Sequence, residues 1–261
     1  MTWQTKSLQA EGRASRARRG LTVFIGLIVL WGLLSLSNIP AFLMPSPAAV
    51  AQALWDNRDY LAYNTLITAS EIASGLVIGV LLGVVLALCM IFSPRIQRWL
   101  MPLVLTSQAI PVFAMAPLLV LWFGFGMSAK VAMAVLVIFF PVASAFFDGL
   151  RRVNNDYLDL ARTMRASPWA QLRHVRLMAA LPAFGSGLRM AAAVAPIGAI
   201  IGEWVGSAAG LGYVMINANA RMQSDVCFAA LFILVLMTVL LWLAVDALLL
   251  RLISWAPESH A

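Results

Sequence analysis

Hydrophobic and polar positions along this 261-residue chain fall into long apolar runs separated by short polar segments. A helix that crosses a bilayer needs about 20 mostly apolar residues. Six segments reach or nearly reach that length. The first runs from Leu21 to about Leu36, with no charge after it until Asp56. The second lies between Glu71 and Arg95, with 23 uncharged residues. Two more come from Trp99–Ala129 and Val131–Phe147, divided by Gly124-Phe125-Gly126 and Lys130. The fifth covers roughly Met178–Glu203 and contains Arg189, and the sixth runs from Val226 to about Leu250. The pattern predicts an all-α polytopic membrane bundle of about six transmembrane helices. Glu71 and Asp246 are expected at the membrane interface.

Finer features sit inside these runs. Gly75, Gly79, Gly83 and Ala87 recur every fourth residue. That spacing keeps them on one helix face, where small side chains let a second backbone come close. Pro111 and Pro117 interrupt the third segment and Pro196 the fifth. Freed carbonyls at membrane depth must face protein or a wet cavity. Such breaks can line a transport path or be ordinary kinks.

Composition agrees with the pattern: 62% of residues are hydrophobic and 11% charged, where soluble domains carry about 25% charged. The net charge of +7 would suit a nucleic-acid binder, but the basic residues cluster at the ends of apolar runs. Fourteen lie before the first run, between the second and third, between the fourth and fifth, and after the sixth. Three, Arg58, Lys130 and Arg221, lie in the other connections. Basic residues favour the cytoplasmic side, so both termini are expected in the cytoplasm. Residues 1–20 form a basic tail, 21–252 the membrane domain and 253–261 a C-terminal tail. The first apolar run is longer than a signal-peptide core and is expected to be retained. Cys89 and Cys227 lie in apolar runs and form no CxxC motif, and the two histidines make no metal-ligand pattern.

The stretch from Asp148 to Pro182 is too polar to span and too long for a turn. Asn154 or Asn155 is placed to cap a short helix over Tyr157–Ala161. Ser167-Pro168 has the form of an N-cap followed by a first-turn proline. Two short cytoplasmic helices are expected within about 151–178, joined near Arg165-Ala166-Ser167. On pattern alone they fit a docking element or a solvated basic loop equally.

Here the chain resembles a known family. Asp159-Leu160-Ala161-Arg162-Thr163-Met164-Arg165-Ala166-Ser167, with Arg173-His174-Val175-Arg176-Leu177 and Ala180-Leu181-Pro182, is similar to the EAA loop of membrane subunits of binding-protein-dependent ABC importers. Asp159 and Leu160 stand for the usual Glu and Ala, Met178 for a proline, and Arg165 for the usual glycine. An arginine there implies a turn with negative φ, or an added polar contact with the partner. Met44-Pro45-Ser46-Pro47, Ile110-Pro111, Ala116-Pro117-Leu118-Leu119, Leu121-Trp122-Phe123-Gly124, Gly202-Glu203-Trp204 and Gly210-Leu211-Gly212-Tyr213 resemble the branch importing nitrate, sulfonates, taurine and pyrimidine thiamine precursors. Glu203-Trp204-Val205-Gly206 and Ala218-Asn219-Ala220-Arg221 are more similar to the pyrimidine-precursor members.

The resemblance implies a type I ABC importer permease with cytoplasmic coupling helices. It implies a second copy of the chain, a dimer of ATP-binding subunits and an external solute-binding protein in the inner membrane system. Asp159, Ala161, Arg162, Arg165, Ala166 and Ser167 would form the ATPase-coupling contact. The chain has no Gly-x-x-x-x-Gly-Lys-Ser/Thr sequence, so ATP and magnesium are expected on the partner, with no cofactor, metal site or catalytic residue here. Charges within spans are functional suspects. Arg189 and Glu203, 14 residues apart, fall within about 40° of each other and about 21 Å apart on a continuous helix. They join Gln108, Pro111 and Met115 as pathway-lining candidates, although Arg189 can snorkel and Glu203 can cap a helix. The competing reading is a channel or ion-coupled carrier without an ATPase, for which the EAA-like loop has no use. A membrane enzyme would need a His, Asp or Glu cluster near the surface, and none is visible.

Overall fold

The structure is a computed structural model that describes residues 22, 25–26, 28–36, 40, 42–253 and 255. The expected basic tail over 1–20 and most of the tail over 253–261 lie outside the described residues. Among the described residues all regular structure is helical. Helix α1 is described over residues 28–35. Its Trp31 stacks on Phe228 with ring centroids 5.9 Å apart, and its indole N–H donates to the Pro45 carbonyl at 3.1 Å.

Helix α2 (Pro47–Asp56) starts with Pro47 in its first turn and the Ser46 hydroxyl accepting from the Ala49 amide. Helix α3 (Arg58–Phe92) is 35 residues long, about 52 Å at 1.5 Å per residue. Helices α4 (Pro94–Ala109) and α5 (Val112–Phe123) meet at an angle of 105°. Proline disfavours helical dihedrals in the residue before it, and Ile110 is accordingly extended. Helix α6 (Met127–Arg151) follows a turn in which Gly124 has φ +76°. Helices α7 (Asn155–Thr163) and α8 (Pro168–Gln171) are short, and a π turn over Leu172–Arg176 leads into α9 (Leu177–Gly206). Helices α10 (Leu211–Ala220) and α11 (Ser224–Leu252) complete the order.

Among the described residues, four helical stretches are long and apolar enough to cross a membrane: α3, α6, Pro168–Gly206 and α11. The bent α4–α5 pair makes up to five. The first expected run, Leu21–Leu36, is only partly described. The division after the third run falls at Gly124–Gly126, so Lys130 belongs to the first turns of α6 and not to a loop. The second run is the later part of a helix that begins at Arg58, which moves Glu71 from an interface into the middle of α3.

Helix α6 lies between α3 and α9. The glycine stripe of α3 faces it. A Cβ on Gly79 would sit 2.7 Å from Ile138 Cγ2, and one on Gly83 2.9 Å from the Phe139 carbonyl. Ala134 is wedged between Gly75 of α3 and Gly198 of α9, where an added Cβ would come 2.7 Å from the Ala134 Cα. The outer faces of α3 and α11 expose Leu66, Val77, Leu81, Val235 and Leu243. Lipid is the solvent such faces require.

Candidate functional sites

The arginine-rich connection between α6 and α9 is built by local capping. The Asn154 side chain accepts from the Asp156 amide at 3.0 Å to start α7, and Ser167 Oγ accepts from the Ala170 amide at 3.2 Å to start α8. Between them, the Ala166 amide donates to the Ala161 carbonyl and the Arg165 amide to the Arg162 carbonyl, both at 2.9 Å. This pair of bonds is a Schellman closure, which needs a left-handed residue just past the helix end. Arg165 fills that position with φ +56°. The negative φ implied by an arginine is therefore corrected: the residue keeps the conformation a glycine would take. Gln171 Nε2 also donates to the Ala166 carbonyl at 2.9 Å, fixing α8 against the turn.

Ala161 is buried beneath the loop with Leu158, and Ala166 is half-buried. Asp159, Arg162, Arg165 and Ser167 are exposed, and Asp159 pairs with Arg162 at 2.8 Å. Tyr157 and Leu160 of α7 and Met164 at its C-cap are exposed at spacings of three and four, so they share one side. The base of the loop is tied down where Arg176 Nη1 donates to the Leu150 carbonyl at 3.0 Å.

The structure separates the pathway candidates. Gln108 and Pro111 are exposed and Met115 half-buried around the α4–α5 break. Arg189 Nε donates to Asp246 Oδ1 at 2.6 Å, joining α9 to α11. Asp246, near the end of α11, is partnered within the bundle by this pair. Glu203 is 1% exposed and reaches no surface. Thr68 donates to its Oε1 at 2.6 Å, and the Gly212 amide donates to its Oε2.

Glu203 belongs instead to a buried polar cluster where α6 begins and α9 ends. Lys130 Nζ donates to Glu71 Oε1 at 2.6 Å, with the Glu71 side chain fully enclosed. The Gly210 amide donates to Asn64 Oδ1 at 2.7 Å and the Leu211 amide to Thr68 Oγ1 at 2.8 Å. Gly210 has φ +115°, and a Cβ there would run into the Glu203 carboxylate. The cluster thus fastens the start of α10 to α3, α6 and α9. Asn64, Thr68 and Glu71 lie on the same face as Gly75, Gly79 and Gly83. That continuation of the glycine line into polar residues was the available signal for this site. Reading Lys130 as a loop residue and Glu71 as interfacial concealed it.

The family model for the "Binding-protein-dependent transport system inner membrane component" matches residues 79–254, which include α6, the arginine-rich loop, α9 and α11. The chain belongs to this family. The permease is 53% identical over 228 residues to a probable ABC transporter permease protein of Haemophilus influenzae, covering 87% of this chain and 93% of the relative. It is 35% identical to the formylaminopyrimidine transport permease protein ThiX of Halalkalibacterium halodurans, covering 95% and 99%. Among solved structures, an inward-facing form of the MetNI methionine ABC transporter has a TM-score of 0.61 at 22% identity, covering 77% of this chain and 97% of that one. That likeness gives the fold, a type I importer permease bundle. The protein is an ABC importer permease subunit of the inner membrane, and ATP hydrolysis resides in a separate subunit.

Proposed function

We propose that the permease moves a small solute of the pyrimidine thiamine-precursor class by alternating access, driven by an ATPase dimer docked on α7 and α8. The exposed Tyr157–Leu160–Met164 stripe carries the docking reading. An otherwise polar helix outside the membrane gains nothing from showing water three large apolar side chains, and a groove on a partner would cover them. Asp159, Arg162, Arg165 and Ser167 supply the polar rim. With Lys130 buried, only Arg58 and Arg221 remain as loop cations opposite the arginine-rich end. This supports placing that end, and both termini, in the cytoplasm.

The path follows the α4–α5 break. The exposed Gln108, Ile110 and Pro111 cannot rest against lipid with open backbone groups, so they face a wet cavity shared with a second copy of the chain, with Met115 beside them. Arg189 and Glu203 hold helices together instead of meeting the solute. An external solute-binding protein delivers the cargo. The pyrimidine reading rests on the likeness to the formylaminopyrimidine permease over 95% of this chain at 35% identity, beside 34% over 88% to a Chloroflexus aurantiacus riboflavin permease and 28–29% to aliphatic sulfonate and taurine permeases.

Copurification and uptake test the proposal. Leu160→Asp leaves the buried Ala161 turn alone and is expected to lose the ATPase while the chain still inserts. ATP-dependent uptake of a formylaminopyrimidine by the reconstituted system, with taurine and alkyl sulfonates not transported, is the expected specificity. Transport without ATP would instead favour a channel or ion-coupled carrier.

A further inference from the structure

The buried cluster holds two carboxyls and one ammonium. Glu71 is 0% exposed, Glu203 1% and Lys130 7%. Among the described residues, the charged groups facing this space are Glu71 from α3, Lys130 from α6 and Glu203 from α9. Helix α10 and the preceding loop contribute neutral groups: the Gly210, Leu211 and Gly212 amides and the Ala209 carbonyl. Lys130 balances one carboxylate. A second ionised carboxylate would leave a net negative charge enclosed at membrane depth, which is costly.

Two observations locate the compensation. The Glu71 and Glu203 carboxyls converge on one space: Thr68, one turn before Glu71 on α3, donates to Glu203 Oε1 at 2.6 Å, and Lys130, which holds Glu71, packs its backbone against Gly202 beside Glu203. Glu71 Oε2 is also fully buried without a hydrogen-bond donor. Two ionised carboxylates offer each other acceptors only. One proton converts that repulsion into an O–H···O bond, as in other paired carboxyls that share a proton.

We propose that this cluster is a proton-binding site, in which a single proton is shared between the Glu71 and Glu203 carboxyls beside Lys130. The site is then neutral overall, and every carboxyl oxygen has a partner. Because Glu203 also holds the Gly212 amide, the bound proton supports the attachment of α10 to the bundle. Its loss sets two carboxylates against each other at that anchor.

Infrared spectroscopy of the intact importer in nanodiscs tests this. At pH 7 ordinary carboxyls are ionised, so a carboxylic-acid C=O band reports an unusual proton. The wild type is expected to show such a band, shifted in deuterated water and lost at alkaline pH together with thermal stability. Glu71→Gln carries its own N–H into the site. It is expected to lose the band, to keep ATP-driven uptake, and to flatten the alkaline loss of stability. Glu203→Gln should lose the same band. Absence of an acid band in the wild type overturns the proposal, and that measurement requires no variant to fold. A band that survives both substitutions also overturns it, as does a wild type without the band that is stabilised by added sodium or potassium.

Discussion

Substituting Lys130 by Met removes the cation from the enclosed cluster while keeping most of its volume. The 2.6 Å contact to a fully buried Glu71 makes this a buried pair with no water to substitute for the lost partner. Breaking such a pair costs about 3–5 kcal/mol. Glu71→Met is expected to cost less, about 1–2 kcal/mol, because Glu203 remains to balance Lys130. The double variant Lys130→Met with Glu71→Met should recover part of the loss, since it removes the second carboxyl that Lys130→Met leaves facing Glu203, while Glu203 keeps its Thr68 and Gly212 donors. The assay is thermal unfolding of the purified permease, with each kcal/mol moving the midpoint by about 2–4 °C for a chain of this size. Lys130→Met should fall by on the order of 10 °C, Glu71→Met by less, and the pair should lie above Lys130→Met alone. A double variant at the sum of the two single losses would refute energetic coupling in the cluster. So would a Lys130→Met midpoint within about a degree of wild type.

Three further outcomes follow from packing and backbone. Gly198→Val should destabilise by at least about 1–3 kcal/mol, because the first added carbon already meets the Ala134 backbone; thermal unfolding measures it. Arg165→Gly should stabilise by about 0.5–1 kcal/mol, since relief of left-handed strain exceeds the added chain entropy. The same variant should bind the ATPase more weakly if the guanidinium contacts it, so unfolding and copurification read the two effects apart. Gly210→Ala should release α10, visible as faster hydrogen exchange over Leu211–Ala220, because its side chain needs the space of the Glu203 carboxylate.

The helical bundle was legible because lipid imposes one simple demand, a long apolar run, on each spanning segment. The capped loop helices were legible for a local reason: Asn154 and Ser167 act on amides two and three residues away. The buried cluster was not. Apart from Gly212 and Glu203, nine residues apart, its partners come from positions 59 to 146 residues apart in the chain, and nothing local marks Lys130 and Glu71 as a pair. Lys130 was read as a topology charge and Glu203 as a pathway candidate or helix cap, whereas the structure places both in the buried cluster. Arg165 misled for a related reason. Its residue type argues for negative φ, but the two carbonyls released at the end of α7 impose the left-handed turn.

The unbroken run from Pro168 to Gly206 has a mechanical consequence. Its 39 residues make a strut of about 58 Å, with one end in the loop of α7 and α8 and the other at the Glu203 anchor. A tilt of about 5° at one end moves the other by about 5 Å over that length. A stroke delivered at the loop therefore arrives at the far side as displacement of a stiff rod, with no relay of side-chain switches required. The Arg189–Asp246 pair, which ties this rod to α11 part-way along its length, is a natural fulcrum.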